Sequence, residues 1–208
     1  MKNILIHGLG QISKDWDTIK NELETRGISS VAPDLFDLAK GRKLDYPTVY
    51  QAFSELCESY QDKLNLCGLS LGGLLALNYA IQYPKKINSL VLIGTPFEIP
   101  KGLLKFQNIV FRFMPKAVFQ NMGVGKKDFI RLSKSMVDLN FMDSATALDC
   151  PALILCGAKD KTNMESAKRF HEAMKNSKLV IVEASGHEVN KDNPNELVRV
   201  LQDFWADR

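Results

Sequence analysis

Gly68-Leu69-Ser70-Leu71-Gly72, residues 68–72, follows an apolar run from Lys63 to Cys67 and opens a stretch of helical period from about Leu71 to Gln82. A run of that kind reads as a strand, so the serine falls on a tight strand-to-helix turn. On such a turn a serine is held in a strained conformation with its hydroxyl aimed out of the sheet's end, and the flanking glycines keep side chains from colliding. The helix begins at the same point. Its free N–H groups and positive dipole end favour negative charge beside Ser70, so the backbone N–H of Leu71 is the expected donor to a developing oxyanion. Gly72, Ala76 and Ala80 recur at i, i+4 and i+8, a small-residue face that lets the helix lie close to the sheet, and Pro84 ends it.

Working outward, five more apolar runs alternate with helical stretches: Asn3 to His7, Ile28 to Ala32, Ser89 to Gly94, Ala152 to Gly157 and Lys178 to Glu183. Each is apolar on nearly every residue, as strands covered on both faces are. The alternation predicts an α/β fold with about six mostly parallel strands and helices on both faces. Trp16, Ile19 and Leu23 mark the first helix, with Gly27 as its stop; Val49, Phe53, Leu56 and Tyr60 mark the second, after Pro47. Ala167, Phe170 and Met174 mark another. The last starts at Asn193 as N-cap with Pro194 behind it, and runs through Leu197, Leu201 and Phe204. At 208 residues the chain fits one domain, and 45% hydrophobic with 25% charged residues excludes disordered, collagen-like and coiled-coil classes. A net charge of +3 is too small for a nucleic-acid footprint. No run is long enough to span a membrane or to serve as a signal peptide, and Cys57, Cys67, Cys150 and Cys156 form no Cys-x-x-Cys pair, so the cytoplasm is the expected compartment.

A serine hydroxyl needs a base, and the base an orienting group. Of three histidines, His187 in Ser185-Gly186-His187 follows the last strand and so falls at the same carboxyl edge as Ser70, where open α/β sheets keep their sites. His171 lies in a helical pattern, and His7 closes the first strand. Asp160, directly after the fifth run, is the first candidate for the orienting carboxylate; Asp34, after the second, is the other, with a helix-starting role as its plainer explanation. His7-Gly8-Leu9-Gly10 makes a compact turn after the first strand, which offers the Leu9 N–H as second oxyanion donor.

Residues 97–149 interrupt the alternation with no convincing strand. They hold seven of the 11 Phe and four of the seven Met, and their eight basic against five acidic residues account for the whole net charge. This is a candidate helical cap, with Phe97, Phe106, Phe113, Phe119 and Met122 as candidate lining of an apolar pocket. Packing of the cap's own underside explains the same residues. A membrane-surface helix over Gly102 to Gly123 is a third reading.

The order Ser70, Asp160, His187, with the His-Gly-x-Gly turn, the Gly-x-Ser-x-Gly elbow, Gly-x-x-Asp after a late strand and Gly-His before the last helix, resembles the α/β-hydrolases over residues 4 to 205. The resemblance implies a reduced form of that fold, opening on the strand that carries His-Gly, with residues 97–149 as the substrate-selecting cap. A serine in the nucleophile position differs from the dehalogenase and epoxide-hydrolase branches. The expected activity is that of a serine carboxylesterase acting on a small to medium apolar acyl ester. A thioester is the near alternative, the basic cap residues then facing an anionic carrier. Peptidase, C–C bond hydrolase and cofactor-free haloperoxidase chemistries share the triad, and a capped receptor with slow or no turnover is the reading from another class. No metal is expected, since the histidines and cysteines lack ligand spacing, and no cofactor, since Gly8-Leu9-Gly10 lacks the third glycine of a dinucleotide fingerprint.

Overall fold

The computed structural model describes residues 1–96, 111 and 113–206. Six strands form one sheet in the order β2-β1-β3-β4-β5-β6: β1 (Lys2–Ile6), β2 (Ser30–Val31), β3 (Leu64–Leu69), β4 (Ile87–Ile93), β5 (Ala152–Gly157) and β6 (Ser177–Val182). Every pairing is parallel. The α-helices among the described residues include α1 (Asp17–Thr25), α2 (Leu35–Leu38), α3 (Tyr46–Ser59), α4 (Leu71–Gln82), α5 (Lys116–Asn121), α6 (Lys126–Ser135), α7 (Met142–Ala145), α8 (Met164–Ala173), α9 (Val189–Asp192) and α10 (Pro194–Ala206), with short 3-10 turns at Ser13–Trp16 and Pro84–Lys86. None is long and apolar enough to cross a membrane.

Alternate strand residues feed two cores, as the period of two in a strand requires. Ile4, Ile6, Leu66, Leu90, Leu92 and Ile154 face α3, α4 and α8, where Val49, Phe53, Leu74 and Phe170 are buried. Leu5, Cys67, Leu69, Val91, Ile93 and Leu155 face the other way, onto Ile19 and Leu23 of α1 and Leu197 and Leu201 of α10. Burial on both faces is the reason β3, β4 and β5 read as apolar runs, whereas the edge strand β6 is mostly half-buried.

Strand β2 is shorter than the apolar run Ile28 to Ala32. Helix α1 ends in a left-handed Gly27 (φ 76°), with Gly27 N–H donating to Glu24 O and Ile28 N–H to Leu23 O. That helix-ending motif uses the Ile28 donor, and only Ser30 and Val31 pair with β1.

The chain leaves β1 for β2 on one side and returns to β3 on the other, so the carboxyl ends of β1 and β3 flank the sheet's switch point. There α4 approaches with no side chain between backbones. A Cβ on Gly72 would be driven into the carbonyls of Ile6 and His7, and one on Gly68 into the backbone of Gly72 and Gly73. Gly72→Ala is expected to lower stability by about 3 kcal/mol, the upper end of overpacking costs, and Tm by roughly 6–12 °C for a chain of this size. Differential scanning calorimetry checks it; an unchanged Tm would disprove the close approach.

Candidate active site

Ser70 is the N-cap of α4 at φ 53° and ψ −110°, a region non-glycine residues rarely occupy. Its N–H donates to Ile93 O at 2.9 Å, which anchors the turn to the end of β4. Strain of this kind costs about 1–3 kcal/mol and persists only where the surroundings over-determine the conformation.

His187 and Asp160 come together from loops after β6 and β5. The two loops are joined by Lys159 N–H donating to Ser185 O at 2.9 Å, and Gly186 N–H donates to Asp192 Oδ2 at 2.7 Å. His187 Nδ1 lies 2.7 Å from Asp160 Oδ2. An ionised carboxylate only accepts, so Nδ1 carries the proton and Nε2 is left with a lone pair. Burial pushes the Asp160 carboxyl up, but hydrogen bonds from His187 and Asn163 outweigh it and hold the group below its ordinary 3.8. Gly94, at φ 49°, lies beneath the pair: a Cβ there would stand 3.0 Å from His187 Nδ1 and 3.2 Å from Asp160 Oδ2. Ser70 and the imidazole thus border the successive residues Ile93 and Gly94. No hydrogen bond joins Ser70 Oγ to His187 among the described residues, and such contacts tighten in substrate complexes.

The third part is the turn after β1. Gln11 N–H donates to Gly8 O at 3.2 Å, closing a β-turn whose third residue, Gly10, has φ 92°, as a type II turn demands. The turn sits against the elbow: a Cβ on Gly8 would lie 3.5 Å from Ser70 Cβ. Neither the Leu9 nor the Leu71 N–H donates to a protein acceptor among the described residues.

Asn163 is a residue that sequence reasoning missed. Its Nδ2 donates to Asp160 Oδ1 and Oδ2 at 3.0 and 2.8 Å and lies 3.2 Å from His187 Nδ1. Its spacing of three from Asp160 was the available signal, since that is the reach of a helix-starting carboxylate. Asp34, the alternative carboxylate, is instead the N-cap of α2, accepting from Phe36 N–H and Asp37 N–H at 3.0 and 3.2 Å. His171 lies at the surface beside Ser177 Oγ.

Of the candidate lining residues, Phe97 and Phe106 fall outside the described residues. Phe113 is 84% exposed and points to solvent. Phe111, two residues earlier, packs instead on Phe119 and Phe129, with ring centroids 6.4 and 5.0 Å away. Phe119 is fully buried in that cluster. Met122 lies over the turn after β1: a Cβ on Gly10 would stand 3.7 Å from its sulfur.

The fold agrees with the comparisons to known proteins. The model of the alpha/beta hydrolase fold matches residues 4–129, and the chain belongs to that family. Lipase 3 of a Moraxella strain is 26% identical over 238 residues, covering 93% of this chain and 75% of that protein. The 2-hydroxy-6-oxo-2,4-heptadienoate hydrolase of Pseudomonas putida is 24% identical, covering 98% and 88%. Among solved structures, a carboxylesterase from the ammonia-oxidizing thaumarchaeon Nitrososphaera superposes with a TM-score of 0.85 at 19% identity, covering 99% of this chain and 90% of that one. A thermophilic esterase from Thermogutta terrifontis gives 0.81 at 18%, covering 100% and 90%.

His7 carries a titration of its own. Buried at the end of β1, its Nε2 accepts from Leu35 N–H at 3.0 Å and its Nδ1 donates to Gly8 O at 3.0 Å, which fixes the neutral tautomer. Burial pushes its pKa below the ordinary 6.5. The unfolded chain then binds a proton more readily, so stability is intact above pH 6.5 and falls as pH drops through 6.5 towards the folded value. This one group contributes a slope of at most about 1.4 kcal/mol per pH unit. Urea midpoints from pH 7.5 to 5 should fall in the wild type and flatten in His7→Gln, which still accepts from Leu35 but does not titrate; equal slopes would refute it.

Proposed function

We propose that the protein hydrolyses small carboxylic esters through an acyl-enzyme on Ser70. The observation that carries the reading is the 2.7 Å His187–Asp160 hydrogen bond beside a strained serine elbow. His187 Nε2 takes the Ser70 proton as Oγ attacks the ester carbonyl. The N–H groups of Leu9 and Leu71 receive the oxyanion, and Asp160 holds the imidazole's tautomer and stabilises its charged form. The proton passes to the departing alcohol. Water, activated by the same imidazole, then releases the acid and restores Ser70.

The cap reading supplies specificity. The connection between β4 and β5 carries α5, α6 and α7, and at Met122 it reaches the turn that holds Leu9. A soft thioether there favours an apolar acyl group of modest size. The relatives named as lipase and esterase are in keeping with an ester substrate.

A fluorophosphonate probe should add one adduct, on Ser70, at neutral pH, and the adduct should vanish in Ser70→Ala and His187→Ala. Asp160→Asn should lower kcat on p-nitrophenyl butyrate by about 10⁴-fold, the usual effect of losing the carboxylate of such a triad. A folded wild type that neither labels nor turns over would overturn the hydrolase reading and favour a receptor. A flat rate across acyl lengths would overturn the apolar preference.

A further inference from the structure

Resting on that reading, we propose that Gln11 and Asn190 are positioning residues which hold the Leu9 turn and the His187 loop in one fixed relation. The sheet does not provide this relation, because β1 and β6 are separated by β3, β4 and β5. Leu9 follows β1, His187 follows β6, and no ladder hydrogen bond runs between them.

A buried polar network does. Gln11 is 1% exposed and Asn190 2%, although both are carboxamides. Gln11 Nε2 donates to Glu188 Oε1 at 2.8 Å and to Asn190 Oδ1 at 3.1 Å, partners 177 and 179 residues away. Its Oε1 accepts from Asn190 Nδ2 at 3.4 Å and, more weakly, from Gly8 N–H at 3.5 Å. Asn190 Nδ2 also donates to Asp15 O at 3.1 Å. Outside this core, Lys191 Nζ bridges Asp15 Oδ1 at 3.0 Å and Glu188 Oε1 at 3.3 Å.

The network ends one residue from each group that must be aligned, at Gly8 before Leu9 and at Glu188 after His187. Apolar side chains would join these loops with less desolvation but would leave them free to slide. A satisfied pair of carboxamides permits few arrangements. An oxyanion donor and a base must hold their geometry to about 0.5 Å for catalysis, which gives such a lock a function beyond stability.

The test is Gln11→Glu, which sets a carboxylate against Glu188, and the double variant Gln11→Glu/Glu188→Gln, which restores donor to acceptor with the polarity reversed. Asn65→Ala is the stability control. Asn65 is buried at the opposite end of the strands, where its Oδ1 accepts from Ser89 Oγ at 2.7 Å. With p-nitrophenyl butyrate, Gln11→Glu should lower kcat about 10- to 100-fold, a decade short of losing an oxyanion donor, with KM within about threefold. Fluorophosphonate labelling of Ser70 should slow by a similar factor, and the double variant should recover most of both. Asn65→Ala should lose Tm but keep kcat. If Gln11→Glu does not fold, Asn190→Ala carries the same expectation without a buried charge. The lock is overturned if Gln11→Glu keeps kcat within about twofold while losing only Tm, or if Glu188→Gln brings no recovery. A wild type that is inert to probe and ester fails differently: the hydrolase reading falls, and the positioning role with it.

Discussion

The first turn of α4 rests on the carbonyl end of β1 with only glycine hydrogens between them, and the site is organised around that contact. Gly72 can approach Ile6 and His7 only if the chain leaves β3 sharply, and the sharp exit sets Ser70 at φ 53°. The strain of about 1–3 kcal/mol is small beside what fixes the helix. Leu71, Leu74, Leu75 and Leu77 are buried, at about 1.5–3 kcal/mol each. Hydrophobic burial of α4 therefore wins, and the serine stays raised at the sheet's edge.

Everything else at that edge is arranged around the raised serine. The turn after β1 packs its Gly8 against the serine's own carbon, while Gly94 closes β4 under the His187–Asp160 pair. Glycine recurs because backbone must lie where a side chain would otherwise stand. The two ends of the sheet differ in kind. At the amino ends, Asn3, Asn65 and Ser89 form a polar ladder between adjacent strands. At the carboxyl ends, Gln11 and Asn190 bridge loops from strands that are not adjacent.

The connection between β4 and β5 divides its aromatic content by geometry. Phe111, Phe119 and Phe129 form an edge-to-face cluster that gives the segment a core of its own, continuous with the main one. Aromatic abundance there serves first to pack the segment. Its contact with the turn after β1 passes through Met122 and Gly123, a Cβ on the latter standing 3.0 Å from Ile12.

The sequence alone determined the six-stranded α/β plan, because strands buried on both faces must be apolar at nearly every position and that pattern needs no partner to be visible. It also singled out Ser70, His187 and Asp160, each lying just past a strand with glycine nearby. Helix α1 was legible from local pattern, and so was the Asn193 cap, whose Oδ1 accepts from Glu196 N–H at 3.3 Å. Only the tertiary structure decided the rest. Asn163 is a plain polar residue until Asp160 and His187 stand beside it. Gln11 and Asn190 carry no periodic or motif signal, since their partners lie 179 residues apart. Phe113 turned to solvent through contacts and rotations that composition does not encode, whereas the helix-starting role of Asp34 was already its plainer local reading. Local pattern records what each segment buries; which polar groups meet across the sheet depends on closure of the whole chain.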